Sequence, residues 1–310
     1  MKRLADILIA ICLLCPCASA QEGPGGGVKA VNLVFYNLKN YLAMDRRVSG
    51  ELVLDAPKPA KEIEHILEGL KAIRPDILGV CEIGDPDYLA DFQSRLKQAG
   101  IDLPNTELLR AKSGFDRNLA VLSRYPIVAN HSRDDYSYHI YEKKFPFQRG
   151  VLDTTIQVNK DYQLRCVVLH LKSKREIPEA DQALMRLNEA QLARSHLDKI
   201  FQTDPKVNLV VIGDLNEYRN EAPVKALQGY FGGRGYLSSL TLSDQYGFRW
   251  THHWSFADSY SRFDYALLSR GISPEVDRKS SYIHHWPDWD SASDHRPIVI
   301  SVTPENREIK

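Results

Sequence analysis

The sequence lacks an excess of either charge and contains few cysteines. Its 310 residues include 40 basic and 40 acidic side chains, so any binding of nucleic acid must come from local patches. Three of the five cysteines lie in the first 20 residues, which leaves Cys81 and Cys166, each within an apolar run. We expect buried free thiols, with one disulfide between neighbouring strands as the alternative in an exported protein. No Cys/His spacing matches a zinc site.

Long hydrophobic runs are also missing, and the one apolar run near the N-terminus is too short to span a bilayer. That run, residues 7–14, follows Lys2 and Arg3 and precedes the small residues 18–20. This order is typical of a secretory signal peptide over residues 1–20. We therefore predict cleavage after Ala20 and a secreted or periplasmic protein.

Two alternatives remain for this N-terminal segment: an uncleaved membrane anchor, or a lipid anchor on Cys15 or Cys17. Removing the segment would leave a net charge of about −1. A Gly-rich tether (21–28) follows, then one domain (29–304) and a short C-terminal tail (305–310). No internal repeat or interdomain linker is visible.

The rest of the chain combines apolar runs typical of buried strands with segments of helical periodicity. We predict strands at 29–38, 76–83, 118–128, 151–158, 162–171, from 207, at 263–269 and at 297–302, and helices at 61–73, 88–99 and 179–201. Residues 130–150 and 229–255 are expected to be irregular. This pattern predicts an α/β fold, one domain in which two mixed sheets pack face to face with helices outside.

The most informative stretch is VNLVVIGDLNEY, residues 207–218. A run of mostly β-branched apolar residues, typical of a buried strand, ends at Gly213 and Asp214. Asn216 is two positions after Asp214, so both side chains would point the same way if the strand continued. A buried strand gains no packing from a carboxylate and an amide at its end. The pattern therefore indicates a site that binds a phosphate and orients a water molecule.

Other strand-like runs also carry a polar residue at or near one end. These residues are Asn37, Glu82, His170 and Asp264, and the loop Ser293-Asp294-His295 precedes the last strand. Each of these residues alone has a structural explanation, such as a strand cap or a hydrogen-bonded core histidine, although a buried carboxylate needs a partner. Their joint occurrence favours a catalytic site at one end of the sheets.

Eight short motifs carry these residues and two arginines. They are FYNL (Asn37), GVCEI (Glu82), LSRYPI (Arg124), FQRG (Arg149), LHLKS (His170), GDLN (Asp214, Asn216), SRFDYALLS (Asp264) and SDHRPI (Asp294, His295). In this order they resemble the endonuclease/exonuclease/phosphatase superfamily over about residues 29–302, and GDLN and SDHRPI are the most specific. The resemblance implies a four-layer, DNase I-like α/β sandwich and hydrolysis of phosphate esters.

The resemblance also implies a divalent metal, Mg²⁺ or alternatively Mn²⁺, held by Glu82 with Asp294 in or beside its ligand shell. It implies that Asp264 orients His295, in the manner of a base and its orienting acid, with water as the nucleophile. Asp214 would orient or deprotonate that water. The sequence does not decide whether His295 accepts a proton or only binds the phosphate.

Further side chains are implied at the phosphate. Asn37 and Asn216 would donate to phosphate oxygens, and His170 would contact the phosphate or assist the leaving group. Arg149 is a candidate for direct phosphate contact, whereas Arg124, close to Pro126, is interpreted as a structural tie between strand ends.

The superfamily does not fix the substrate. Repair enzymes of the exonuclease III type carry an acid shortly after the first Asn, where this chain has Leu38 and Lys39. Inositol polyphosphate 5-phosphatases carry Trp-Cys-Asp-Arg where this chain has SRFDY, residues 261–265. Both departures favour another phosphodiester, and we predict a nonspecific endonuclease acting on extracellular DNA or RNA, as a monomer.

Two aromatic and basic segments, 136–149 and 248–260, could line a groove and stack on bases. The first alternative is a sphingomyelinase-like or other lipid or small-molecule phosphodiesterase with peripheral membrane contact. Four tryptophans are candidates for exposed loop tips at such a contact: Trp250, Trp254, Trp286 and Trp289. A non-catalytic binding protein on the same fold is a third class, which the filled polar positions disfavour.

Overall fold

The computed structural model describes residues 28–307. The predicted signal peptide, nearly all of the predicted tether and the last three residues of the predicted tail lie outside this range, so those predictions stay untested. Within residues 28–307, no helix is both long enough and apolar enough to cross a membrane.

The described chain forms eighteen strands, five α-helices and one 3₁₀ turn, Ser273–Glu275. The strands are β1 (Val31–Tyr41), β2 (Met44–Val48), β3 (Glu51–Ala56), β4 (Ile77–Ile83), β5 (Asn105–Leu109), β6 (Asn118–Ser123), β7 (Ile127–Asn130), β8 (Ser137–Ile140), β9 (Lys143–Pro146), β10 (Leu152–Asn159), β11 (Tyr162–His170), β12 (Leu209–Asp214), β13 (Ser238–Ser239), β14 (His252–Trp254), β15 (Ser259–Ser261), β16 (Asp264–Leu268), β17 (Val276–Ile283) and β18 (Ile298–Val302). The helices are α1 (Ala60–Ile73), α2 (Pro86–Gln98), α3 (Gln182–Thr203), α4 (Ala222–Gln228) and α5 (Trp289–Ala292).

Twelve of these strands form two six-stranded mixed sheets. The first sheet has the order β17-β18-β1-β4-β6-β5, and the second has the order β13-β16-β12-β11-β10-β7. Only β1 with β4 and β11 with β12 pair in parallel among the described strands of these sheets. The remaining strands form three separate hairpins, β2–β3, β8–β9 and β14–β15.

The two sheets pack face to face through one apolar core. Phe35 and Cys81 of the first sheet belong to the same buried cluster as Val168 and Ile212 of the second. A Cβ atom added at Gly79 would lie 2.7 Å from Ile212 Cδ1. The absence of a side chain at this position therefore allows the sheets to approach closely at their centre.

Helices cover the outer face of each sheet. Ile66 of α1 and Phe92 of α2 are buried in a cluster with side chains of β1, β4 and β6. Leu197 of α3 and Val224 of α4 are buried against β11, β12 and β16. The order helix, sheet, sheet, helix confirms the predicted four-layer sandwich.

The predicted strand 118–128 is wrong as a single element, because it is two strands in different sheets. β6 lies in the first sheet and β7 in the second. Between them, Arg124 Nε forms a salt bridge with Asp76 Oδ1 at 2.8 Å, and Pro126 has no N–H to donate to a ladder. Arg124 therefore ties strand ends, as interpreted from the sequence.

Several elements escaped the sequence prediction because they bury little apolar surface. Five of the six residues of β3 are exposed, and so are four consecutive residues of β17. The segment 130–150, expected to be irregular, contains the β8–β9 hairpin. Such strands show neither a buried apolar run nor the alternation of a half-buried strand, which are the signals used to predict them.

Both remaining cysteines are buried and free, which confirms the expected thiols. Cys81 and Cys166 lie in the core between the sheets. Burial raises the pKa of both thiols, so neither is a ready nucleophile.

Candidate active site

Three neighbouring strands of the second sheet bring polar residues to the same sheet edge. The register pairs Asp264 of β16 with Asp214 of β12, and Asp214 with His170 of β11. Directly paired residues project from the same face of a sheet. All three side chains are buried. Two carboxylates and an imidazole therefore form one row across this end of the sheet.

Two strands of the first sheet add Asn37 and Glu82 to the same place. Asn37 Nδ2 donates to Asp214 Oδ2 at 3.2 Å and to Glu82 Oε1 at 3.3 Å. Asn37 Oδ1 accepts the N–H of Lys39 at 2.9 Å, which fixes the orientation of the amide. One amide thus joins the polar residues of the two sheets.

The loop before β18 is held over these residues by Ser293. Its Oγ donates to Asn37 O at 2.9 Å and accepts the N–H of His295 at 3.1 Å. His295 Nδ1 then lies 2.7 Å from Asp264 Oδ2. The structure therefore contains the imidazole–carboxylate pair that the resemblance implied.

One oxygen, Asp214 Oδ2, is the point on which the site converges. Asn37 Nδ2 lies 3.2 Å from it, His170 Nε2 3.4 Å and His295 Nε2 3.6 Å. These groups, with Asp214 itself, come from three different strands and a loop. A buried carboxylate that is surrounded by fixed hydrogen-bond donors can orient a water molecule and accept a proton from it.

The electrostatics of the buried groups give them different protonation states. Burial outweighs the lowering effect of the His295 charge and, together with the charge of Asp264, raises the pKa of Asp214 to about 7. Burial alone would lower the pKa of His295, but the carboxylates of Asp264 and Asp214 outweigh it and raise that pKa to about 10. Burial and the charge of Arg149 hold the pKa of His170 well below its usual value. His295 is thus a cation at neutral pH, and His170 is neutral.

Glu82 occupies a strained backbone conformation, with a φ of 61°. A non-glycine residue in this left-handed region costs about 1–3 kcal/mol, and such residues cluster at functional sites. Asn40 donates its N–H to Glu82 Oε2 at 2.9 Å. The side chain of Glu82 is 17% exposed, whereas that of Asp214 is 2% exposed. Glu82 therefore presents a fixed carboxylate that solvent can reach.

Asp294 presents a second accessible carboxylate, because 36% of its side chain is exposed. Burial would raise the pKa of Asp294, but the charges of His295 and Lys39 outweigh it and lower the pKa. Carboxylate oxygens open to water suit a hard divalent ion that retains several waters. Carboxylates of this kind fit such an ion, and the assignment of Glu82 and Asp294 as its ligands stays a prediction.

A different group also has metal-ligand spacing. One ligand atom each from Asp214, Asp264 and His295 lies within 4.8 Å of the others. Two of these residues already bind each other, because His295 Nδ1 lies 2.7 Å from Asp264 Oδ2. Hydrogen bonding therefore accounts for this group.

Asn216 does not share a strand face with Asp214, because the strand does not continue past Asp214. The strand ends at Asp214, and Asn216 turns away from it with a φ of 50°. Its N–H donates to Asp214 Oδ1 at 2.9 Å, and its Nδ2 donates to Leu171 O at 3.1 Å. Asn216 thereby fixes the carboxylate of Asp214, and a role at the phosphate stays a prediction.

Arg149 is buried beside the site and donates to the same carbonyl oxygen, Leu171 O, as Asn216 does. Its Nη1 donates to Leu171 O at 3.3 Å, and its guanidinium lies 4.6 Å from the centre of the Phe115 ring. Its Nε is buried without a hydrogen-bond partner among the described residues. Direct phosphate contact by Arg149 therefore also stays a prediction.

His252 is a site residue that the sequence reasoning missed. Its backbone bridges to His295, and the two ring centres are 4.7 Å apart. His252 Nε2 lies 4.0 Å from Asp294 Oδ2. Burial and the charge of His295 lower the pKa of His252 to about 4, so its ring is neutral. The available signal was the sequence THHW, within the aromatic and basic segment 248–260 that was interpreted as a possible groove lining.

A second missed feature is a pair of buried glutamates behind the site. Glu189 accepts the N–H groups of Gln148 and Lys172, at 3.1 and 2.7 Å, and burial raises its pKa to about 7. Glu217 accepts from Arg186 at 2.8 Å. Lys172, two residues after His170, is 3% exposed. Glu217 directly follows GDLN in sequence, whereas nothing in the helical pattern distinguished Glu189.

The expectation of four exposed tryptophans is wrong for three of them. Trp254 is 54% exposed, but Trp286 is only 9% exposed and lies within the outer cluster of the first sheet. Trp250 lies under Arg296, whose guanidinium is 3.3 Å from the ring centre, and contacts Trp289. These three indoles pack the C-terminal loops.

Two packed mixed sheets, helices outside and polar strand ends gathered at one edge define the class of DNase I-like α/β sandwiches. The chain belongs to the Endonuclease/Exonuclease/phosphatase family, whose sequence pattern matches residues 48–295. Members of this family are hydrolases that act on phosphoester bonds and generally use a divalent metal. The comparison with curated proteins finds no match to this sequence.

Solved structures give the same fold at low sequence identity. The human Nocturnin catalytic domain with bound sulfate is 18% identical, with a TM-score of 0.58 over 88% of this chain and 93% of that one. Truncated TDP2 from Caenorhabditis elegans is 14% identical, with a TM-score of 0.57 over 88% and 98%. Sphingomyelinase C from Streptomyces griseocarneus is 15% identical, with a TM-score of 0.56 over 88% and 99%. These similarities establish the fold alone.

Proposed function

We propose that the protein is an exported, divalent-metal-dependent phosphodiesterase that cleaves its substrate by attack of water on phosphorus. The observation that carries this proposal is the convergence of Asn37, His170 and His295 on Asp214 Oδ2, with Glu82 bound to the same Asn37 amide. A non-catalytic protein has no evident use for this buried and partly strained arrangement.

The geometry suggests a division of roles. Asp214 orients the attacking water and takes its proton, because its pKa of about 7 suits a base at neutral pH. His295, held by Asp264, places a positive charge beside the phosphate. Neutral His170 can donate to a phosphate oxygen or to the leaving group. A Mg²⁺ ion held by Glu82 and Asp294 would neutralise charge on the phosphate and the leaving oxygen.

Removal of divalent metal is expected to abolish hydrolysis of bis-p-nitrophenyl phosphate. Addition of Mg²⁺ or Mn²⁺ to the EDTA-treated protein should restore it, because carboxylate oxygens bind both ions. Release of p-nitrophenolate is the measurement, and circular dichroism before and after EDTA is the control for unfolding. Full activity in excess chelator would contradict the metal role.

Our preferred substrate is extracellular nucleic acid, cleaved without sequence preference by a monomeric enzyme. A panel of plasmid DNA, RNA, sphingomyelin, inositol phosphates and nucleotide diesters, each with Mg²⁺, tests this choice. Cleavage of DNA or RNA in preference to the other esters would support it. Preferred cleavage of sphingomyelin or inositol phosphates would overturn it.

The second candidate is a lipid phosphodiesterase, and one hairpin favours it. Trp254 and Phe256, at the tip of β14–β15, are 54% and 88% exposed. The same hairpin carries His252 beside His295. Exposed apolar side chains next to a catalytic site are compatible with contact at a membrane surface.

Export is the remaining part of the proposal, and it rests on residues 1–20. We expect mass spectrometry of the protein from its producing cell to give a mature chain that begins at Gln21. The protein with Ala20 replaced by a bulky residue is the control, because cleavage should then fail. A mature chain that still begins at Met1 would contradict export by a cleaved signal peptide.

A further inference from the structure

Two aromatic rings and a lysine form a group next to the catalytic row, by which we mean His170, Asp214 and Asp264 of the second sheet. The ring centres of Tyr218 and Phe263 are 5.6 Å apart at an angle of 48°. Lys174 Nζ lies 4.7 Å from the Tyr218 ring centre and 6.0 Å from that of Phe263. We call these three residues the Tyr218 platform.

The platform is built on the same strand ends as the catalytic row. Tyr218 comes four residues after Asp214 and Lys174 four residues after His170, while Phe263 directly precedes Asp264. Four residues span at most about 14 Å. Because the three strands are neighbours in the second sheet, the platform lies within a few residues' length of His170, Asp214 and Asp264.

A series of contacting rings connects the platform to the catalytic imidazole. The rings of Phe263 and His252 stack with centres 5.2 Å apart, and the ring of His252 lies 4.7 Å from that of His295. Phe263 is 7% exposed, whereas Tyr218 is 49% exposed. The inner end of the series is therefore packed, and its outer end presents an aromatic surface to solvent.

Buried charges hold the platform in place. Lys174 pairs with Glu217, and Glu217 Oε2 accepts from Nε and Nη2 of Arg186 at 3.0 and 2.8 Å. Arg186 is 1% exposed and also donates to Lys172 O at 3.0 Å. Burying such charges is costly unless each is paired. Because the lysine is already fixed, little conformational freedom is lost when a ligand binds against it.

Two arginines adjoin the platform in sequence, because Arg219 directly follows Tyr218 and Arg262 directly precedes Phe263. Arg262 is fixed by a hydrogen bond to Leu240 O at 2.8 Å, and burial, with the charges of Arg219 and Arg249, lowers its pKa. Arg219 and Arg249 are both exposed. An aromatic surface among cations suits a ligand with a flat ring and a phosphate. A quaternary ammonium headgroup would instead meet like charges.

We propose that the Tyr218 platform is a subsite that stacks on a nucleobase of the substrate, next to the cleaved phosphate. This inference rests on the proposed phosphodiesterase function and narrows its substrate to a nucleic acid. Stacking on one aromatic side chain changes affinity about 5- to 100-fold. The platform therefore favours an ester that carries a base over one that does not.

The test compares binding of two fluorescein-labelled oligomers of equal length, oligodeoxythymidylate and its abasic analogue, by fluorescence anisotropy. Excess EDTA prevents cleavage, so the affinity is measured without catalysis. The parent protein is expected to bind the thymidylate about 5- to 100-fold more tightly. Tyr218→Ala should bring this ratio close to one, and Tyr218→Phe, which keeps the ring, should preserve most of it.

The matched control is Tyr230→Ala, because Tyr230 is 86% exposed on the loop after α4. Its ratio should equal that of the parent, and melting temperatures should show that every variant is folded. An unchanged ratio in Tyr218→Ala would overturn the inference, as would the absence of any preference in the parent. Stronger competition by phosphocholine than by thymidine 5′-monophosphate would also overturn it. Hydrolysis of bis-p-nitrophenyl phosphate by the parent with Mg²⁺ is measured separately, and its failure would refute the proposed function alone.

Discussion

Replacing Glu82 with glutamine is expected to lower kcat/KM for bis-p-nitrophenyl phosphate by about 10³-fold. The metal contributes several kcal/mol of charge stabilisation to the transition state, and each 1.36 kcal/mol changes the rate tenfold. An amide has the shape of the carboxylate but not its charge, so it binds a divalent ion weakly. The N–H of Asn40, which donates to Glu82 Oε2 at 2.9 Å, would also lose a charged acceptor.

The matched control for this variant is Glu64→Gln, on the exposed face of α1. It makes the same chemical change away from the site and should leave kcat/KM unchanged. Titration of Mn²⁺ binding gives a readout independent of turnover, and the affinity should fall in Glu82→Gln only. Parental activity in Glu82→Gln, still abolished by EDTA, would mean that other residues hold the metal.

The central strands could be predicted from sequence because they are buried on both faces. β4, β6 and β12 consist almost entirely of buried residues and give continuous apolar runs. The polar residue that ends such a run then stands out, as Asp214 does. Edge strands and hairpins, such as β17 and β2–β3, have no comparable signal because half or more of their residues are exposed to water. Tertiary pairing decides their conformation.

The contacts within the site were less predictable than its residues. Asn37 and Asp214 are 177 positions apart, and their hydrogen bond depends on how closely the two sheets pack. No spacing in the sequence contains that information, and the pairing of Asp264 with His295 was available only through the family resemblance. Asn216 shows a second limit, because its left-handed backbone ends the strand where alternation would have continued it.

Replacing His295 with alanine is expected to lower kcat/KM by about 10²- to 10⁴-fold, the range for one group that assists proton transfer or charge stabilisation. Its imidazole joins Asp264 to Asp214, with contacts of 2.7 and 3.6 Å. Asp264→Ala is expected to cost less, because the one hydrogen bond of the Asp264 side chain within the described part of the site is with His295, and it contributes mainly through that imidazole. Both variants leave buried carboxylates or an imidazole without a partner, so circular dichroism must show that they are folded.

The pH profile separates a positioning role of Asp264 from a merely structural one. The charges of Asp264 and Asp214 raise the pKa of His295 to about 10, so the parent keeps a cationic imidazole through neutral pH. Without Asp264 that pKa falls, and the cation is lost at lower pH. The alkaline limb of kcat/KM should therefore move to lower pH in Asp264→Ala, while Glu64→Gln keeps the parental profile. A larger rate loss in Asp264→Ala than in His295→Ala, or an unshifted limb, would show that the two roles are assigned incorrectly.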